Sequence, residues 1–318
     1  MSRILVVGCV SFDTVHLELS GPEEDLDSAS GSSSDSAAGS GSTSGSGSTS
    51  SSASAPVARR TIKTIGGAGL YTALAAAKVG AEVTLFAPKP SPMPDLLKPV
   101  EAMLTWVGPE IDIEHMPTLE IIHHGHDRAT LLNASWGAEH LLQPESLRQL
   151  IDTHFDITHI AALSSPARQL EFMTFLKAVK ANQVISVGTY ARAIAADSAT
   201  VNELLAGSDA FFMNKNEANL LFGEGAIVPK EYQLIFVTTG GDGVDLYTAD
   251  AENSVQFEQV EAEQVDVVDP TGAGDSFCGA ALAGLTIYIN PVAAAQVGAL
   301  VASKSIEYEG PSIYFIEE

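Results

Sequence analysis

From Gly66 onward the chain alternates short apolar runs with helical segments, and that rhythm limits the fold more than any other feature. Leu70 to Val79 reads as an Ala-rich helix, stopped by Gly80 and followed by a strand over Glu82 to Ala87. Leu96 to Trp106 reads as helix, and residues 111–114, 118–124 and 127–134 read as short strands. His159 to Leu163, Val184 to Val187, Ala210 to Met213 and Leu234 to Thr238 are apolar runs of strand length. Helical segments at about 145–152, 168–180, 198–206 and 215–222 separate them. Repeated strand-helix units of this length predict an α/β chain: a central, mostly parallel sheet covered by helices on both faces.

The first sixty residues follow a different pattern. Ile4 to Cys9 reads as a buried strand, while Thr14 to Leu19 and Thr61 to Ile65 alternate like half-exposed strands. Between them, residues 21–56 begin acidic and become almost pure Ser, Gly, Ala and Thr. Such a stretch cannot bury enough apolar surface to offset its ordering entropy, so it is expected to be a disordered surface insertion. Residues 1–318 are otherwise read as one domain.

Composition narrows the function. Hydrophobic residues make up 45% of the chain, enough for a large core, yet no run of 18 apolar residues suggests a membrane span. The N-terminus runs straight into a strand without the pattern of an export signal, and the two cysteines, Cys9 and Cys278, sit in apolar surroundings. A cytoplasmic protein with reduced thiols is expected. Forty acidic against sixteen basic residues give a formal charge of −24, which argues against nucleic acid and anionic membranes as partners.

One run carries chemistry. Residues 269–277, Asp-Pro-Thr-Gly-Ala-Gly-Asp-Ser-Phe, follow an extended stretch (Val265, Val267, Val268) and open a small-residue helix from Cys278 to Tyr288. Gly272, Ala273 and Gly274 would form a turn with bare amides at the positive end of a helix dipole, an anion cradle. A carboxylate beside such a cradle repels the anion, so Asp275 needs a reason to be there. A base that takes a proton from a hydroxyl attacking phosphorus is that reason. A helix start with an acidic first turn would account for Gly-Ala-Gly-Asp alone, but not for all nine residues.

The run resembles the signature of the ribokinase-like (PfkB) carbohydrate kinase family. The resemblance implies that Asp275 is the catalytic base and that the backbone of Gly272, Ala273, Gly274 and Asp275 forms the anion hole. It also places Asp269 and Thr271 near a monovalent-cation site, with K⁺ as the ion. Asp13, after the first strand, matches an aspartate that binds acceptor hydroxyls, and Gly66 and Gly67 match a glycine pair that contacts the acceptor. Where the family's ribose kinases continue with lysine and asparagine, this chain has Ala68 and Tyr71. Asn214 and Glu217 read locally as a helix capping box, and the family's Asn-x-x-Glu motif there organises Mg²⁺, its waters and the nucleotide phosphates. Thr238, Gly240 and Gly243 match residues along the nucleotide site, and Gly310-Pro311 the place where the adenine pocket closes.

By the same resemblance, the strands around residues 14–19, 61–65, 118–124 and 127–134 form a small β-lid, reduced because the Ser/Gly tract replaces its outer part. A lid-mediated homodimer and a monomer both stay open. Arg192 is what remains of an Asp-x-Asn-x-Arg segment, either steering an anionic substrate or standing on the surface. Ala87-Pro88-Lys89-Pro90 replaces a Gly-x-Asp segment that many members carry. His123, His124 and His126 do not share one strand face, so no metal is expected on them. The function expected is an ATP- and Mg²⁺-dependent phosphotransferase whose acceptor is a small-molecule alcohol, with a sugar in first place. The alternatives are a nucleoside kinase, with Tyr71 stacking on a base, and a catalytically weak nucleotide-binding regulatory protein of the same fold.

Overall fold

The computed structural model describes residues 2–18, 59–124, 129–252, 254–288 and 290–316. The tract at 21–56, expected to be disordered, and His126 lie outside the described residues. Strand β1 (Arg3–Val7) sets the layering: Ile4 and Val6 enter one core, Leu5 and Val7 the other. A strand apolar on both faces belongs in the middle of a sheet covered on both sides.

From β1 the chain rises into β2 (Ser11–Glu18) and returns antiparallel along β3 (Arg59–Gly66). Helix α1 (Ala68–Lys78) carries it back to β4 (Glu82–Phe86), parallel to β1. Next come the two-residue β5 (Lys89–Pro90), then α2 (Lys98–Met103), β6 (Thr105–Val107) and β7 (Glu110–Ile111), which pairs with β5. Strands β8 (Thr118–His123) and β9 (Ala129–Ser135) complete a four-stranded lid in the order β3-β2-β8-β9.

The parallel body then continues through β10 (Ile157–Ile160), α3 (Pro166–Val179), β11 (Val184–Gly188), α4 (Ala191–Ala196) and α5 (Ser198–Gly207). It goes on through β12 (Ala210–Asn214), α6 (Lys215–Phe222) and β13 (Leu234–Thr238). Antiparallel β14 (Val244–Ala249) and β15 (Val255–Val260) add an edge, and α7 (Ala273–Tyr288) and α8 (Pro291–Ser305) close the chain. The large sheet has nine strands in the order β15-β14-β13-β12-β11-β10-β1-β4-β6. Helices α1, α7 and α8 pack on one face of it, and residues of α3, α5 and α6 join the core on the other. The small residues of α7 serve that packing: Gly279 lies against the Thr72 backbone with no room for a Cβ.

The expected parallel sheet and lid are present, with local corrections. The helix expected over Leu96 to Trp106 ends at Met103, and Thr105 to Val107 form β6 instead. Pairing of this aromatic and β-branched run with β4, and a bond from Trp106 Nε1 to Ala87 O at 3.2 Å, override the helical pattern. The strand expected at 111–114 stops at Ile111, and residues 144–150 are 3₁₀ rather than α. The stretch at Val265 to Val268, expected to be extended, joins no sheet; the Val268 and Asp269 amides both donate to Ile306 O. Helix α7 starts at Ala273, five residues before the expected Cys278, and α4 was not foreseen.

Candidate active site

The C-terminal ends of β10 to β13, the starts of α1 and α7 and the inner face of the lid enclose a cleft of about 1100 Å³. Open α/β sheets bind ligands at this edge. Asp13, Gly67, Asn214, Glu217, Thr238 and the turn from Thr271 to Asp275 all line it.

Asp13 stands near the start of β2 in the lid, buried, with its Oδ1 accepting from Ser11 Oγ at 2.6 Å. The Gly67 amide also donates to it, and Gly66 lies so close to its carboxylate that any side chain there would collide. Gly67 caps α1 at φ +98°, a conformation that favours glycine. Burial pushes the Asp13 carboxyl up to about 6; the Ser11 bond opposes the rise and the charge of Asp269 adds to it.

The glycine turn is built from three supports. Asp269, itself buried, accepts from the Thr271 amide at 3.0 Å and from the Gly310 amide at 2.9 Å. Gly272 takes φ +77° and rests on the Tyr71 ring, so even a methyl group would strike it. The Thr271 hydroxyl meets His123 Nε2 of the lid at 2.9 Å. Helix α7 then begins, with the Ser276 amide bonding Gly272 O at 2.8 Å, and the amides before it have no intrahelical acceptor. Asp275, half-buried in that first turn, faces the cleft. Burial, and secondly the charge of Asp13, push its carboxyl up to about 7.

Across the cleft, Asn214 ends β12 and caps α6. Its amide donates to Glu217 Oε2 at 2.8 Å, its side-chain amide to Oε1 at 2.8 Å, and the Glu217 amide to Asn214 Oδ1 at 2.9 Å. The capping box read from the sequence is present in full. Glu217 is buried, and burial first, with the charge of Asp275 added, pushes it up to about 7 against the Asn214 bonds.

Three carboxyls in one cleft therefore hold their protons unusually hard, as acids do when their counter-charge comes from a ligand. Among the described residues no three acidic, His or Cys side chains converge as a metal cage. An all-oxygen set with one or two carboxylates fits Mg²⁺ that takes its other ligands from phosphate and water. At Asp269, both described hydrogen bonds come from backbone amides, which leaves a buried negative charge suited to a monovalent cation.

Some predicted residues do not face the cleft. Gly66 and Asp269 stand behind its lining, Gly240 and Gly243 shape the β13–β14 turn, and Gly310 packs against Thr64 and Asp269. Tyr71, 1% exposed, lies beneath Gly272 and supports the turn, and it also lines the cleft. Arg192 is exposed at the rim. Other lining residues were not assigned from sequence. Ser11 shares a strand face with Asp13, a signal that period-two alternation carries. His159 sits in the floor, 1% exposed, bonded to Ser186 Oγ at 2.9 Å and pushed down to about 3 by burial. Leu119, Ile121 and Leu131 of the lid, with Trp136 and Tyr190, give one end an apolar lining that no local motif encodes.

This arrangement of sheet, lid and cleft is the ribokinase-like fold, and solved kinases share it. A nucleoside kinase from Methanocaldococcus jannaschii, described as an archaeal member of the ribokinase family, superposes with a TM-score of 0.64 at 20% identity, covering 98% of this chain and 93% of that one. Ribokinase from Cryptococcus neoformans in complex with ADP gives 0.73 at 16%, covering 99% and 97%. A Burkholderia thailandensis nucleoside kinase in complex with inosine gives 0.69 at 15%, covering 98% and 93%. No curated protein matches the chain in sequence. The family model for pfkB family carbohydrate kinases matches residues 48–317, and the chain belongs to that family of phosphotransferases acting on small-molecule alcohols. Among the described residues no helix is long and apolar enough to cross a membrane.

Proposed function

We propose that the protein transfers the terminal phosphoryl group of ATP to a hydroxyl of a sugar. The observation that carries this is the pairing of Asp275 with the glycine turn at Gly272 to Gly274, at the start of α7 and in one cleft with Asp13 and Glu217. Asp13, with the Gly67 amide beside it, holds acceptor hydroxyls, since a carboxylate accepts from two at once. Asp275 takes the proton of the attacking hydroxyl, and a pKa of about 7 suits a base that works near neutrality. The amides of the Gly272 to Asp275 turn hold the oxygens of the migrating phosphoryl group. Asn214 and Thr238 line the nucleotide end, where Gly240 and Gly243 set the bend of the next turn.

Glu217 would hold Mg²⁺ through water, and the ion when bound neutralises phosphate charge. Asp269 and Thr271 would hold K⁺ behind the turn, where it would screen the Asp269 charge. The protein acts in the cytoplasm, consistent with buried free thiols at Cys9 and Cys278. One catalytic unit spans residues 1–318, with 21–56 as an insertion.

A panel of sugars and nucleosides, followed by ADP release and product mass, tests the reading. Asp275→Asn is expected to bind ATP normally and to lose about 10²–10⁴-fold in turnover. Near-normal turnover in that variant would remove Asp275 from its role. A nucleoside acceptor is the second reading, favoured by the apolar lid face at Leu119, Ile121 and Leu131 and by the Trp136–Tyr190 pair, 6.3 Å between ring centroids. Phosphorylation of nucleosides alone on the same panel would select it.

A further inference from the structure

The supports of the anion turn come from different parts of the molecule. Asp269 precedes the turn in the same loop, and Tyr71 belongs to α1 in the body. His123 comes from the lid, the last residue of β8 and 148 positions from Thr271 in sequence. Its Nε2 lies 2.9 Å from the Thr271 hydroxyl. A hydroxyl both donates and accepts, so either ring tautomer keeps that bond.

The rest of β8 gives the contact its meaning. Leu119 and Ile121 line the apolar end of the cleft, four and two residues before His123 and on the same strand face. One strand thus touches the space for the acceptor and the first residue of the anion turn. A second tie between lid and body is the ion pair of Arg60 on β3 with Glu309, next to the Gly310 whose amide reaches Asp269. Both of its side chains are close to half exposed, so solvent weakens it. The His123–Thr271 bond is partly buried.

We propose that His123 is a positioning residue that registers the Gly272–Asp275 turn from the lid, so that seating of the acceptor under β8 and alignment of the phosphoryl cradle occur together. This rests on the kinase reading above. Without His123, Thr271 keeps its amide bond to Asp269 but loses the restraint on its side chain. A displacement of about 1 Å in such a turn costs on the order of 10²-fold in rate.

Amide hydrogen exchange and kinetics on the full chain test this. His123→Ala is expected to speed exchange at residues 270–276 as well as 118–123 by about fivefold to tenfold, the worth of one hydrogen bond. The central strands β1 and β11 should stay unchanged, and His123→Gln, which restores an amide within reach, should bring both segments back. Thr271→Val removes the same bond, so the double variant should be no worse than Thr271→Val alone. With a phosphorylated acceptor in hand, His123→Ala should lower kcat by about 10- to 100-fold at an unchanged KM for ATP, with recovery in His123→Gln. Unaltered exchange at 270–276, additive effects in the double variant, or an unchanged kcat would overturn the proposal. If the wild type phosphorylates no acceptor, the kinase reading falls while the exchange measurements still judge the His123–Thr271 contact.

Discussion

Asp275 sits where its charge is unwelcome. Its ordinary pKa of 3.8 is pushed up to about 7, which means that the folded chain resists ionising it. At a pH below the ordinary value, both folded and unfolded chains hold the proton and the group costs nothing. As pH rises toward about 7, the unfolded chain releases the proton first, and the folded state loses stability over that whole window. Asp13 and Glu217, pushed up to about 6 and about 7, act with the same sign. Asp275→Asn is therefore expected to raise Tm at about pH 8 and to leave it nearly unchanged at about pH 4. Melting curves across that range decide the point, and a lower Tm for the variant at about pH 8 would count against a strained carboxylate. In the role proposed for Asp275, that cost would be an exchange of stability for function.

At the scale of elements, what the sequence revealed depended on how local the determinants were. The start of α6 was legible because its capping partners are three residues apart, and its extent matched the sequence pattern. Asn214→Ala is expected to cost about 1 kcal/mol of stability through the lost cap. Because the same side chain holds Glu217, ATP binding should weaken as well; urea titration and nucleotide binding on this variant read the two effects separately. A variant with full stability and normal ATP affinity would deny the residue either role. β6 was misread because its strand character comes from pairing with β4, whose Thr84 to Phe86 lie about twenty residues upstream. The stretch before Asp269 likewise takes its partner, Ile306, from the far end of the chain. Patterns of period 2 or 3.6 cannot register such partners.

For the molecule as a whole, the formal charge of −24 is the dominant electrostatic fact. Self-repulsion at that charge opposes compaction, and added salt screens it. Raising NaCl from about 0.05 M to about 0.5 M at neutral pH should raise Tm, because the Debye length falls from above to below about 10 Å. A Tm that falls with salt would mean that specific ion pairs outweigh the net repulsion. The cleft concentrates the same imbalance: Asp13, Glu217 and Asp275 line it, and Arg192 at the rim is the one Lys or Arg among its described lining residues.

The sequence by itself determined the alternating strand-helix order, the bend at Gly272 and the cap of α6. These depend on backbone preference, apolar spacing and partners within a few residues. Tertiary structure decided which groups share the cleft, how tightly Asp13, Glu217 and Asp275 hold protons, that Tyr71 lies beneath Gly272, and that His123 reaches Thr271. Burial and charge act through space, over distances set by folding, and residues 148 positions apart in sequence carry no local sign that they will meet.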